Sequence, residues 1–261
     1  MLVISYGGGV NSTAMIVHLL QTEPEAMQTA RIVFADTGAE WPETYAYVHQ
    51  FDGWLQGQGL RIEWVSNGSL VDYCRQLSVM PVRMNRFCTR IFKQVPICRW
   101  RDAEGLWGEK AVECIGFAAD EAHRAMKTDS RLVVSAGDTS GYNWHRTNFR
   151  YPLIEAGLDR HGCGRVLLAA GLGVPPKSGC WCCAFQRVSE FRRLWRDHPD
   201  LFERACEIED ASASRRAENG AAPVFIKGDQ SLRSRAAAWA NEQTLFADED
   251  FVEAHPCRCG L

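Results

Sequence analysis

The segment Ser5-Tyr6-Gly7-Gly8-Gly9-Val10-Asn11-Ser12-Thr13 combines three consecutive glycines with hydroxyl side chains and runs straight into an apolar helical pattern. Glycines allow a tight turn and a close approach to the backbone. The free amides and positive dipole end of a helix starting near Ser12 face the same space, and the guest they suit is a phosphate. No Lys stands where the GxxxxGK[ST] loop needs one, and the GxGxxG spacing is missing, so neither the kinase-type nor the dinucleotide loop is present. A second group of residues offers sulfur. Cys180 and Cys183 form a CxxC behind the extended lead-in Pro175-Pro176-Lys177-Ser178-Gly179, a spacing that lets two thiolates meet one metal or two irons and leaves two ligands to be found. Cys88 lies among Arg86, Arg90 and Lys93, where cations lower a thiol pKa and neutralise phosphate or sulfate, so metal ligand, anion clamp and reactive thiol are all open to it. Cys257 and Cys259 stand on a terminal stretch expected to be flexible, which can carry a thiol into a crevice and out to a reductant.

The elements that position these groups alternate. Leu2 to Ser5, Arg31 to Ala35, Arg61 to Val65 and Ala111 to Phe117 read as strands, with helices after Ser12, from Pro42, over Leu70 to Leu77 and over Gln94 to Glu104. Such alternation implies a parallel sheet with right-handed crossovers, and ligands bind beyond the carboxyl ends of its strands. Those ends are Ser5 to Asn11, Asp36 to Gly38, Ser66 to Gly68 and Gly116 to Glu121. Residues 126–150 read as a long polar loop. Beyond Cys183 the pattern turns helical, at Ser189 to Asp197, Pro199 to Ala213 and Leu232 to Gln243, with one strand-like run at Pro223 to Lys227, and this region is expected to return over the sheet.

Composition narrows the chemistry. With 261 residues, 46% of them hydrophobic, one large α/β domain or a domain with a helical appendage is expected. Eleven cysteines are many for a chain that shows neither a leader pattern nor an apolar span and so reads as cytoplasmic. In a reducing compartment, metal binding or thiol chemistry explains them better than disulfides. A net charge of −3 leaves only local patches for a polyanion.

Several segments, in order, resemble one family. The first loop resembles the SGGxDS pyrophosphate loop of ATP pyrophosphatases and phosphoadenosine phosphosulfate (PAPS) reductases, with Asn11 in place of the common Asp. Phe34 to Thr44 resembles the reductases' TDTGxxxPET segment, and Cys88, Lys93 and Pro96 their cysteine-to-Lys-to-Pro segment, with Thr89 where cluster-bearing members have a second cysteine. Gly116 to Arg124 is similar to GxRxDES.RR, with Ala118 for the first Arg. Asp159 to Phe185 resembles the DC…GxPxPPKSxCxxCPF segment of a reductase-like subfamily frequent in phages and mobile elements. At the end only Cys259-Gly260-Leu261 matches ECGLH.

The resemblance implies a Rossmann-like adenine nucleotide alpha-hydrolase fold over residues 1–185, with a parallel sheet between helices, and a helical C-terminal region over 186–261. It implies that the amides of Gly7, Gly8 and Gly9 with Ser12 and Thr13 hold the phosphates, that Ser5, Tyr6 and Asn11 also bind the nucleotide, that Asp36, Thr37 and Gly38 line it, and that Arg86, Lys93 and Arg124 neutralise its anionic end. Cys88, Cys163, Cys180 and Cys183 together make four thiolates, enough for a [4Fe-4S] cluster, with zinc as the alternative. The nucleotide is ATP, adenylyl sulfate (APS) or PAPS. In the main expectation Cys259, aided by Lys93, attacks the sulfur of an adenylyl sulfate and a thioredoxin-type donor releases sulfite. The first alternative is an ATP pyrophosphatase that thiolates a nucleic acid; the second is a non-catalytic nucleotide- and cluster-binding accessory protein. No membrane partner is expected.

Overall fold

The computed structural model describes residues 1–126 and 148–241. Five parallel strands form one sheet in the order β3-β2-β1-β4-β5: β1 (Leu2–Tyr6), β2 (Arg31–Asp36), β3 (Ile62–Ser66), β4 (Val112–Ile115) and β5 (Asn148–Arg150). Val, Ile and Phe fill the central strands because both faces are covered and the β-branched and aromatic side chains pack well on a pleated surface. Ile4 sits level with Ile32 and Cys114 and shares one face with Phe34. That face meets α1 (Val10–Thr22), α2 (Pro42–Gln56) and α5 (Arg160–Ala169). Val33 and Ala35 point the other way, onto Ile97 and Trp100 of α4 (Val95–Glu104). Each fully buried side chain of this kind contributes about 1.5–3 kcal/mol, so the pleat fixes which residues can reach the strand tips.

Local chemistry starts and stops the helices where it should. Pro42 opens α2, Ser69 Oγ accepts from the Asp72 amide at the start of α3 (Leu70–Leu77), and Gly105 closes α4 in the left-handed region. A second core lies beside the sheet and joins Leu70, Val71 and Cys74 of α3, Phe92, Trp181 and Cys182 to α6 (Val188–Asp197), α7 (Pro199–Glu218) and α8 (Leu232–Asn241). The C-terminal helices thus pack on α3 and on the cysteine segment rather than returning over the sheet, and the core they share draws on residues from both sides of position 185.

Three further expectations change. Pro223 to Lys227 forms no strand; the Ile226 amide donates instead to Glu209 Oε1, 2.8 Å away, so its hydrogen bonding is met by a side chain. Strand β5 closes the sheet at the end of what reads as polar loop, and α5 occupies a stretch without a clear apolar period. The remainder of that loop, 127–147, lies outside the described residues. Among the described residues no helix is long and apolar enough to cross a membrane.

Candidate active site

A cavity of about 150 Å³ opens beyond the carboxyl ends of β1, β2 and β4, where the strand order reverses. The glycine loop forms its floor. Gly9 precedes α1 with extended backbone, and its carbonyl accepts from the Thr13 amide at 3.0 Å and from Thr13 Oγ1 at 2.8 Å. The amides of Val10, Asn11 and Ser12 come before that first intrahelical bond and belong to the donor set that a helix start leaves for an anion. Ser12 Oγ accepts from the Gly7 amide and braces the turn. Gly8 has a φ of +68°, and a Cβ there would lie 3.0 Å from Val48 and 3.1 Å from Thr44, so this glycine turns the chain against α2 and does not line the cavity. Thr13 is buried, close to the Tyr6 hydroxyl, and has the same shaping role.

Ser5 is fixed from beneath. Its hydroxyl donates to Glu113 Oε1 at 2.6 Å, and Arg101 Nη1 donates to Glu113 Oε2 at 2.6 Å, both members of the ion pair being buried. Burial pushes the Glu113 carboxyl up and the Arg101 guanidinium beside it pulls it back. Removing either partner would leave a buried charge alone, at a cost of about 3–5 kcal/mol. On the opposite rim, Asn11 Nδ2 donates to Glu121 Oε2 at 2.8 Å and Arg124 Nη1 to Glu121 Oε1 at 2.6 Å. Asn11 Oδ1 is buried without a hydrogen-bond partner, and Asn11 lines the cavity.

The third wall carries sulfur. Residues Lys177 to Gly179 line the cavity, and a Cβ on Gly9 would meet Ser178 Oγ at 2.7 Å, so this strap lies against the glycine loop. It is tied to the loop after β2 by the Trp41 amide donating to the Gly179 carbonyl, by the Trp181 amide donating to the Ala39 carbonyl, and by an antiparallel bridge between Glu40 and Cys180. Cys180 Sγ donates to Glu40 Oε1 at 3.6 Å and lies 3.3 Å from Thr37 Oγ1. Lys93 Nζ stands 3.4 Å from the same Glu40 oxygen and also lines the cavity. Glu40 is buried, and its Oε2 has no partner. Burial pushes the Cys180 thiol well up, Glu40 adds to the rise and Lys93 opposes it. Burial works against the Lys93 ammonium, but the Glu40 carboxylate beside it raises its pKa above the usual lysine value.

The predicted residues therefore divide. Ser5, Tyr6, Gly7, Gly9, Asn11, Ser12, Lys93 and Arg124 meet at the cavity. Asp36, Thr37 and Gly38 stand behind its wall: Asp36 Oδ1 accepts from the Gly38 amide at 2.8 Å and from the Tyr45 hydroxyl at 2.6 Å, and the lining from β2 comes from Phe34 and Ala35. Arg86 lies outside, with its guanidinium 5.2 Å from the Phe185 ring. Cys88, Cys180 and Cys183 share one electrostatic neighbourhood around Lys93. Cys163 does not join them. It is buried in the core beneath α1, where desolvation followed by Asp120 and Asp159 pushes its thiol up to about 12.

The four-thiolate set of the sequence reading is thus not assembled, and among the described residues no three His, Cys, Asp or Glu side chains stand close enough to hold a metal ion. Cys257 and Cys259 lie outside the described residues. Cys163→Ala is expected to leave iron and zinc per chain at the parent value after anaerobic purification, with a stability loss of about 1 kcal/mol. A fall in metal content matching that of Cys180→Ser would instead put Cys163 among the ligands.

Glu40, Glu121 and Ser178 are site residues that the sequence reading quotes within motifs but does not single out. Glu40 sits one turn from a strand tip, where a carboxylate reads as solvated; only the pairing of the two loops buries it beside a thiol. Gly116 is another, since a Cβ there would lie 2.9 Å from Ser12 Cα and 3.0 Å from Ser12 N.

Comparison with known proteins adds a match to one domain family over part of the chain. None of the curated proteins matches the chain. Among solved structures, the U34-tRNA thiolase NcsA from Methanococcus maripaludis, determined with its [4Fe-4S] cluster, is similar at 15% identity and a TM-score of 0.46, over 83% of this chain and 72% of that one. The family model for the phosphoadenosine phosphosulfate reductase domain matches residues 1–125, which contain the glycine loop, Glu40, Cys88, Lys93 and Arg124. What the comparisons show of this chain is that match to the phosphoadenosine phosphosulfate reductase domain over residues 1–125.

Proposed function

We propose that this protein binds ATP on the glycine loop, adenylates a carbonyl acceptor and delivers sulfur to it through Cys180 and Cys183. One observation carries the reading: Gly179 and Lys93 line the cavity, Gly179 directly precedes Cys180, and Lys93 pairs with the same Glu40 oxygen to which Cys180 donates, so activated phosphorus and sulfur would meet across one wall. In the first step the acceptor oxygen attacks the α-phosphorus and pyrophosphate leaves. Loop amides and Lys93 hold the charge that builds up. In the second step a persulfide on Cys180, loaded by a sulfane-sulfur donor, attacks the acceptor carbon and AMP leaves, giving a mixed disulfide between Cys180 and the acceptor. Glu40, hydrogen-bonded to Cys180, is the proton acceptor that frees the sulfur nucleophile. Cys183 then attacks Cys180, forms the Cys180–Cys183 disulfide and releases the thiolated product, and an external dithiol reduces the pair.

The reading is tested by incubating the protein with ATP, a sulfane-sulfur donor, a dithiol and candidate acceptors. AMP and pyrophosphate should appear in equal amounts and only with acceptor present. Sulfite released from an adenylyl sulfate, with no AMP formed from ATP, would overturn it in favour of reduction through Cys259.

A further inference from the structure

Outside the cavity, next to Cys183, the surface is built for a second ligand. The Phe185 ring is partly exposed and has the Arg86 guanidinium 5.2 Å and the Arg83 guanidinium 5.9 Å from its centre. Arg83 Nε donates to the Ala184 carbonyl, which ties this arginine to the cysteine turn itself. Lys227 comes in from the C-terminal region to face Arg83, Lys177, Cys183 and Glu190, and its pKa is lowered by burial and then by Arg83. Of the acidic groups there, Glu190 is already engaged by Lys177 and by the Arg187 amide. Neither Arg83 nor Lys227 has a carboxylate partner among the described residues. Between the two arginines, Met84 is 97% exposed. Gathering like charges on a chain with a net charge of −3 costs free energy unless an anion neutralises them.

We propose that Phe185, Arg83 and Lys227 form a platform that takes single-stranded nucleic acid, stacking one base on Phe185 and holding the flanking phosphates on the two cations. An aromatic face beside guanidinium groups suits an unpaired base, and cations spread around it suit a backbone better than one compact phosphate. A base stacked there lies two residues from Cys183, so the platform supplies the carbonyl acceptor of the sulfur-delivery reading, on which it rests for its purpose.

The test is fluorescence anisotropy of labelled single-stranded RNA and DNA oligonucleotides against the full chain over a salt series. Binding is expected, with log affinity falling linearly in log salt. Phe185→Ala should weaken it by roughly 5- to 150-fold, Phe185→Trp should restore it, and Arg83→Ala and Lys227→Ala should each lower the salt slope by about 1. ATP binding should stay at the parent value in all four variants, which also reports their folding. The tighter of the RNA and DNA arms names the polymer. No binding by either polymer, equal affinity in parent and Phe185→Ala, or equally strong competition by an acidic peptide would overturn the platform. Acceptor-dependent AMP release without nucleic-acid binding would sink only the platform, whereas platform binding without AMP release would sink only the sulfur-delivery reading.

Discussion

Cys180→Ser is expected to reduce thiolated product by roughly 10³-fold or more while ATP binding stays within about twofold of the parent. Serine keeps the size of the side chain and can still donate to Glu40, so the wall of the cavity survives and only the sulfur is lost. A loss of roughly 10²- to 10⁴-fold is expected of Glu40→Gln, because the proton acceptor is removed while the nucleophile remains. Measuring pyrophosphate, AMP and product separately decides the roles. Cys180→Ser should still release pyrophosphate on the first turnover, since adenylation precedes sulfur attack, while AMP, which leaves only when sulfur attacks, should fall with the product. Unchanged product from Cys180→Ser, together with its loss in Cys259→Ser, would return the nucleophile to the C-terminal segment.

The second large effect is expected from the smallest change. Gly116→Ala places a methyl group 2.9 Å from Ser12 Cα, 3.0 Å from Ser12 N and 3.2 Å from Asn11 C. All three atoms are backbone, so no rotamer can relieve the contact, and the start of α1 must move away from β4. Overpacking of this kind costs about 1–3 kcal/mol of stability. The functional loss should be larger, because the displaced atoms carry the amides that meet the phosphates, and a shift of about 1 Å at such a site costs on the order of 10²-fold. Calorimetric titration with ATP should show affinity lost well beyond the fall in unfolding free energy. An alanine variant that binds ATP like the parent would remove the glycine loop from the nucleotide site.

A pattern in these residues explains what was legible in the chain. The strands β1 to β4 and the helices after them follow from apolar runs closed by Gly, Ser and Pro, because burial on both faces of a parallel sheet demands continuous hydrophobic stretches. The glycine loop is equally plain, since its function lies in the backbone and glycine alone permits that approach. β5 and α5 were hidden for the opposite reason: three residues ending a polar stretch, and ten residues that open on Arg160 and His161 and carry two glycines, gain their structure from the neighbours they pack on. The CxxC marks sulfur chemistry because its spacing is local, whereas its partners come from far along the chain.

By itself the sequence therefore determined the parallel α/β architecture and marked the glycine loop and the CxxC as candidate sites. The tertiary structure decided which groups share a space. It set Cys163 in the core beneath α1, left Asp36 as a brace behind the wall, and brought Glu40 within 3.6 Å of Cys180 across 140 residues of chain. Periodicity and spacing report contacts along a strand or a helix, but the pairing of the strap with the loop after β2 is a long-range event. It is fixed by the second core that encloses Trp181 and Cys182, and no local pattern encodes it.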